Sequence, residues 1–293
     1  MKYFNEDIAG FICSKPQVKT FLGRKQSAGN QRLIKKNLGI RTFISLVGTS
    51  ETTRVTTNLE EPDTRFYEWL AGVIDGDGCF LISKKGYASL EITMGLEDLP
   101  LLRYIQNKLG GSVKQRSGAK AYRYRLHNRE GVSGVLCKVN GNIRNSVRIL
   151  QLHRLCQHFG IPMQEPEKLT TKNSWFAGFF DADGSIGLTY KDKERVSLRV
   201  RVVNKYLVDV KMFQEIFGGT IHYSGASNGI YHWTALARED LLTILPYFKG
   251  KCRSYKSRRF FLMDEYFTLR DLKAFKKTSV YHKAWEAFLK KWN

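Results

Sequence analysis

Acidic charge, regularly spaced cysteine and long apolar runs are what this chain lacks. No stretch approaches the roughly 20 apolar residues that span a bilayer, so the sequence offers no membrane-crossing helix. Five cysteines, at positions 13, 79, 137, 156 and 252, form no Cys-x-x-Cys pair and no regular spacing. That argues against a disulfide framework and a structural zinc site, and an odd count in a long chain fits a reducing compartment. His153, Cys156 and His158 lie close together, but on an expected amphipathic helix. The opening residues lack the basic start and apolar run of a secretory signal. Lys15 to Arg54 is basic and hydroxyl-rich, loosely like a transit peptide, and is read as a flexible leader. Acids number 27 against 48 lysines and arginines, a net charge of +21. Such an excess points to a polyanionic partner, with nucleic acid ahead of an acidic membrane surface.

What the chain does have is an internal repeat. Leu70–Gly78 reads LAGVIDGDG and Phe176–Gly184 reads FAGFFDADG, 106 residues later. The likeness runs on. Ser89-Leu90 falls opposite Ser197-Leu198, and Leu109-Gly110-Gly111-Ser112 opposite Phe217-Gly218-Gly219-Thr220. Tyr122 pairs with Tyr231 and Gly141 with Gly250. A module of about 100 residues is duplicated, too long for a solenoid repeat.

Periodicity gives each module the same order. A helix, Arg65–Gly76 or Ser174–Ala182, is capped by Asp63 or Thr64 and by Asn173 or Ser174. A hairpin follows, Cys79–Lys85 with Tyr87–Met94, or Ser185–Lys191 with Val196–Val203. Then come a helix (Leu99–Leu109 or Leu207–Phe217), a second hairpin (Ser112–His127 or Thr220–Ala237) and closing helices. The fold class is α+β: two αββαββα modules related by a pseudo-twofold, each with a four-stranded antiparallel sheet. Residues 1–62 form a polar arm, 63–165 the first module, and 166–293 the second. The second carries an added amphipathic helix through Tyr281, Trp285, Phe288 and Leu289.

The repeated nonapeptide carries the chemistry. Gly72 and Gly76 share a helix face at i, i+4, as do Gly178 and Ala182. Glycine inside a helix costs about 1 kcal/mol against alanine, and close approach of the two helices is the natural return. Gly78 and Gly184 suit the left-handed residue that ends a helix. Packing then brings Asp77 toward Asp183, both at helix ends that are already negative. A divalent cation relieves that repulsion, and hard oxygen ligands suit Mg²⁺. Two carboxylates sharing metals over a phosphate give the geometry of two-metal phosphodiester hydrolysis. A single Asp-x-Asp-Gly is as often a plain turn. Two copies, each after a small-residue helix and before a strand, favour the chemistry.

These two nonapeptides resemble the signature motifs of single-chain LAGLIDADG homing endonucleases, over roughly residues 63 to 270. The resemblance implies a monomer that cuts both strands of a long, pseudo-palindromic DNA target and leaves 3′ overhangs. It implies Mg²⁺ as cofactor, with Mn²⁺ as a substitute and Ca²⁺ supporting binding without cleavage. The eighth motif position, Asp77 and Asp183 here, would hold the metals. The carbonyls before it, Gly76 and Ala182, would join them, while Asp75 and Asp181 serve the helix end. The family also sets a basic residue near the metals. Lys251, five residues after Pro246, fits that place, and its first-module equivalent is Asn142, which implies unequal cutting of the two strands. Equally, Lys251 reads as a phosphate contact in the basic loop of Lys249, Lys251 and Arg253. Relatives also act as maturases on host group I intron RNA, the alternative or additional partner. The expected origin is organellar, mitochondrion before chloroplast.

Alternation selects the sheet face that would enter a major groove. Phe80, Ile82, Ile186 and Leu188 are assigned to the core. The opposite face then carries Leu81, Ser83, Lys85, Ser89, Glu91, Thr93, Lys114, Arg116, Arg123 and Arg125 in the first module. In the second it carries Gly187, Thr189, Lys191, Ser197, Arg199, Arg201, His222, Ser224, His232 and Thr234. Any solvated sheet face alternates in this way, so the residue types carry the argument more than the period. Lys256, Arg258 and Arg259 are read as phosphate contacts. Gly229-Ile230-Tyr231 and His127-Asn128 imitate fragments of other nuclease motifs but lack partner residues. A non-catalytic DNA-binding regulator on this scaffold would tolerate Asp77→Asn; an enzyme would not.

Overall fold

The computed structural model describes residues 62–190, 195–225 and 229–293. The expected N-terminal arm and Lys191 lie outside the described residues. The first module runs α1 (Pro62–Asp77), β1 (Gly78–Ile82), β2 (Ala88–Gly95), α2 (Leu99–Leu109), β3 (Ser112–Gln115), β4 (Ala121–Leu126), α3 (Arg129–Val139) and α4 (Ser146–Phe159). The second runs α5 (Trp175–Asp183), β5 (Gly184–Tyr190), β6 (Val196–Asn204), α6 (Val208–Phe217), β7 (Thr220–Ser224), β8 (Ile230–Ala235) and α7 (Arg238–Lys251). A 3-10 segment, Tyr255–Leu262, takes the place of α4 in the second module, and α8 (Met263–Asp271) and α9 (His282–Trp292) follow it. The two sheets have the same order, β1-β2-β4-β3 and β5-β6-β8-β7, antiparallel throughout.

Helices α1 and α5 pack against each other across the pseudo-twofold, and glycine makes this possible. A Cβ on Gly72 would run into the Trp175 carbonyl oxygen, and a Cβ on Gly178 into the Trp69 carbonyl oxygen. Trp69 Nε1 donates to Asp181 Oδ2 at 2.9 Å and Trp175 Nε1 to Asp75 Oδ2 at 2.7 Å, so each module's tryptophan holds the other's buried carboxylate. Asn173 caps α5 by accepting from Trp175 N at 2.6 Å. Helix α1 begins at Pro62, so Asp63 and Thr64 sit in its first turn rather than before it.

Three local expectations are corrected. Gly184 is extended (φ −75°), and neither it nor Gly78 has a positive φ, because each helix passes straight into a strand. Their small size serves clearance: a Cβ on Gly78 would meet Ile74 Cα and O, and one on Gly184 the Phe180 ring. Strand β1 ends at Ile82, leaving Ile82 38% exposed, while Leu188 is half-buried. Ser83 and Lys85 therefore lie in the turn, where Ser83 Oγ accepts from Tyr87 N and Gly86 takes φ +80°. Finally, Gly78 pairs with Ile92 but Gly184 with Val202. Since Gly78 and Gly184 are equivalent, Ser89 corresponds to Arg199 and Glu91 to Arg201, two residues off the match read from Ser89 and Ser197.

Both modules bury aliphatic strand residues such as Leu90, Ile92, Leu198 and Val200. The second adds an aromatic stack, with Phe176 and Phe213 4.3 Å apart, and seals its end with Trp285, Phe288 and Trp292 of α9. Tyr266 Oη accepts from Leu198 N at 2.9 Å, tying α8 to β6.

Candidate active site

Asp77 is the last residue of α1 and Asp183 the last of α5, so the Gly72–Gly178 crossing sets where both carboxylates emerge. They meet closely: the Cβ position on Gly76 lies 3.3 Å from Asp183 Oδ2. Burial, and then the Asp183 charge, push Asp77 up to about 7. Asp183 opens to solvent, yet its hemmed base also raises it, against the pull of Lys256 and Arg148. An acid pair held so high lacks compensating positive charge.

Two cations frame the pair. Lys256 Nζ donates to the carbonyls of Phe180 (3.2 Å), Ala182 (2.9 Å) and Gly184 (2.6 Å). Arg148 does the same for α1, donating to Ile74 O and Gly76 O at 3.1 Å each. They are equivalents, each capping the negative end of a motif helix. Burial lowers Lys256, while Asp181, Asp98, Asp77 and Asp183 pull it back up. The donor set fits a hard divalent cation: two carboxylates plus the Gly76 and Ala182 carbonyls, each of which keeps a second lone pair beside its bond to Arg148 or Lys256.

A buried frame fixes this geometry across the module boundary. Asp181 accepts from Arg253 N (2.8 Å), Ser254 N (2.9 Å) and Ser254 Oγ (2.5 Å), and Asp75 Oδ2 accepts from Arg144 N at 2.7 Å. Asp98 holds Tyr255 N at 2.7 Å, and its counterpart Asp209 holds Ser146 N and Oγ at 3.0 and 2.8 Å. These bonds place the segments that carry Lys256 and Arg148.

The residues expected to supply the basic group lie elsewhere. Lys251 Nζ donates to the carbonyls of Thr171, Lys172 and Asn173, at the opposite end of α5, roughly 13 Å from the acids at 1.5 Å per residue. Asn142 gives its carbonyl to Arg144 Nη1. Sequence reading took Lys256 for a phosphate contact and passed over Arg148. The available signal was their nearly equal interval after Asp77 and Asp183.

Strand register brings most of the expected sheet residues onto one face. In the first module Cys79, Glu91, Arg125 and Ser112 line up across four strands, beside Thr93, Arg123 and Lys114, with Leu81 opposite Ser89. Arg116 follows the end of β3. In the second module Ser185, Arg201, Thr234 and Thr220 line up, with His232 beside His222, Gly187 opposite Arg199 and Thr189 opposite Ser197. Ser224 closes β7 on the same parity, and Thr234 is only 7% exposed. The equivalent positions differ in charge. Glu91 accepts from Arg123 Nη1 at 3.1 Å and Arg125 Nε at 2.7 Å. At its equivalent, Arg201 Nε donates to His232 Nδ1 at 3.0 Å. Burial and the neighbouring Arg201, Arg199 and His222 lower the His232 pKa, keeping the ring a neutral acceptor.

A duplicated α+β chain, joined by two motif helices with an acid at each end and flanked by two basic sheets, defines the class of tandem LAGLIDADG proteins. The chain belongs to the LAGLIDADG endonuclease family, matching it over residues 70–159 and 176–267. It is 44% identical over 291 residues to the intron-encoded RNA maturase bI4 of Saccharomyces cerevisiae, covering 88% of this chain and 44% of that protein. It is 42% identical to a probable intron-encoded endonuclease, aI2, of Debaryomyces hansenii, covering 81% and 39%. The chain thus spans less than half the length of these relatives. Its fold matches that of I-SmaMI bound to an uncleaved DNA target with calcium ions, with TM-score 0.56, 17% identity, and coverage of 77% of this chain and 97% of that one. Among the described residues no helix is long and apolar enough to cross a membrane.

Proposed function

We propose that the chain is a site-specific double-strand DNA endonuclease that uses Mg²⁺ and acts as a monomer. The observation that carries this reading is the meeting of Asp77 and Asp183 at the ends of two crossed helices. Bound Mg²⁺ would activate water and stabilise the departing 3′ oxygen. The chain's own part is to hold the metals with Asp77, Asp183 and the Gly76 and Ala182 carbonyls. Lys256 and Arg148 keep the helix ends neutralised and stand beside the scissile phosphates. Along the sheets, Ser89, Glu91, Thr93, Lys114, Arg123 and Arg125 would face one half-site, and Ser197, Arg199, Arg201, His222, Ser224 and His232 the other. Because the two faces differ, the target is only roughly palindromic. Ca²⁺ should support binding without cleavage and Mn²⁺ should replace Mg²⁺, leaving 3′ overhangs.

Cleavage-site selection from a DNA library in Mg²⁺, against Asp77→Asn/Asp183→Asn, tests this. Discrete double-strand cuts that need both acids support it; binding without any cut defeats it. A second reading, action on group I intron RNA, is favoured by the 44% identity to an RNA maturase. The two activities share a basic chain and can coexist. The intron-encoded relatives support an organellar gene, in a mitochondrion rather than a chloroplast.

A further inference from the structure

The DNA-facing side of the first module is not uniformly polar. Leu81, Ile82 and Tyr87 are 43%, 38% and 71% exposed at the outer end of the β1-β2 hairpin. With Ser89, Glu91 and Arg125 they line a depression of about 520 Å³. Register puts Leu81 opposite Ser89, and Glu91 opposite Arg125, so this apolar ground is continuous with the Arg-bearing face. The second module has nothing like it. Gly187 stands at the Leu81 position with open space where a Cβ would be, and Arg199 lies opposite it.

We propose that the Leu81–Ile82–Tyr87 depression is a thymine-reading subsite, receiving the 5-methyl group of a thymine in the half-site under the first module. This rests on the endonuclease reading and names the base chemistry that one half of its target must carry. The major-groove edge of a base pair presents one apolar group, the thymine methyl, and apolar side chains read it by contact. Three large apolar side chains left in water on a charged, groove-facing surface have that group as their natural partner. The neighbouring arginines are already set: Glu91 accepts from Arg123 and Arg125, so Arg125 borders the depression in a fixed orientation. At the equivalent place in the second module, Arg199 beside Gly187 offers donors and no apolar contact, so a thymine methyl there is not read.

The test replaces thymines one at a time by deoxyuridine, which removes only the methyl group, in a duplex obtained by selection. Binding in Ca²⁺ is measured for the wild-type chain and for Leu81→Ala, an exposed site whose truncation leaves the core intact. At one first-module thymine the wild type should bind about fourfold more weakly, the scale of one buried methyl. The loss should shrink below about twofold in Leu81→Ala. A duplex that is bound and cut, yet indifferent to every deoxyuridine, overturns the subsite and leaves the endonuclease standing. So does a loss that is unchanged in Leu81→Ala. Failure to select or bind any duplex removes the endonuclease reading and the subsite together.

Discussion

The two modules are near copies where they meet and strangers where they face outward. At the junction, correspondence is residue by residue. Gly72 clears Trp175 as Gly178 clears Trp69, Trp69 serves Asp181 as Trp175 serves Asp75, and Asp98 holds Tyr255 as Asp209 holds Ser146. On the sheets, Glu91 with two arginines stands opposite Arg201 with a histidine. A junction that must bring two acids to one point permits few solutions, whereas a face that reads an asymmetric polymer gains from difference.

The largest break in this comparison is at the acids. Asp77→Asn or Asp183→Asn should each lower cleavage at least about 10³-fold, because a metal site at the centre of transition-state charge is lost. Binding in Ca²⁺-free buffer should be unchanged or tighter, since one negative charge near the phosphates is gone. Single-turnover cleavage with a parallel binding assay separates the two effects. Equal residual cutting by wild type and variant would detach the acids from the chemistry.

Next is the crossing itself. Gly72→Ala and Gly178→Ala put a methyl into the partner's backbone carbonyl, where no side chain can move aside. Each should cost about 3 kcal/mol, at the upper end of overpacking, and lower Tm by about 10 °C. Gly134→Ala, on an open helix surface, is the control and should be neutral or better.

Much of the junction was legible in the sequence because it is written twice. The nonapeptides marked both helices, and two-residue alternation marked the strands. What escaped did so for physical reasons. Lys256 and Arg148 reach the helix ends with long side chains from segments far along the chain, and no periodicity encodes such reach. Lys251 looked right by its distance from Pro246, but α7 carries it to the other end of α5. The longer β5-β6 hairpin hid the equivalence of Glu91 and Arg201, because the match of Ser89 to Ser197 is a coincidence of residue type. Ile82 was misassigned because alternation assumes a continuing strand, and Ser83 closes the turn instead.

Lys256 and Arg148 sharpen the comparison within the site. Lys256→Met should slow cleavage about 10²-fold, the scale for removing one donor to developing charge. Arg148→Met should do less, because the arginine touches two carbonyls where the lysine touches three. Nicked intermediates, resolved by strand, should accumulate with opposite polarity in the two variants. The same strand left uncut in both would show that the cations do not divide the work by module.

A smaller contrast lies in the buried acids. Asp181 has both oxygens bonded, whereas among the described residues Asp75 Oδ1 finds no hydrogen-bond partner. Burial pushes Asp75 up to about 7, partly offset by bonds from Arg144 and Trp175. The folded chain therefore keeps a proton that the unfolded chain releases near 3.8. Between about pH 4 and 7 the folded state binds more protons, so stability falls as pH rises through that window and levels off above it. The drop should be on the order of 2 kcal/mol. Asp75→Asn should flatten that part of the urea-midpoint profile, and a profile as steep as wild type would assign the effect to other groups.

The smallest effect concerns Glu91. Its two ion pairs are part-exposed, so their net contribution to stability is about 0–1 kcal/mol, and Glu91→Gln should leave Tm nearly unchanged. Its consequence is for reading. The carboxylate holds Arg123 and Arg125 in one arrangement, and without it both are free to follow any phosphate or guanine within reach. Affinity for random DNA should therefore rise modestly, with the slope of log Kd against log salt steepening by up to about one. Discrimination at the base pairs under the first module should fall severalfold, while the second half-site stays as selective as before. Arg201→Gln provides the mirror experiment, freeing His232 and relaxing only the second half-site. If either variant relaxed both half-sites equally, the two faces would not be reading independently, and the difference between the modules would have to be sought in DNA bending instead.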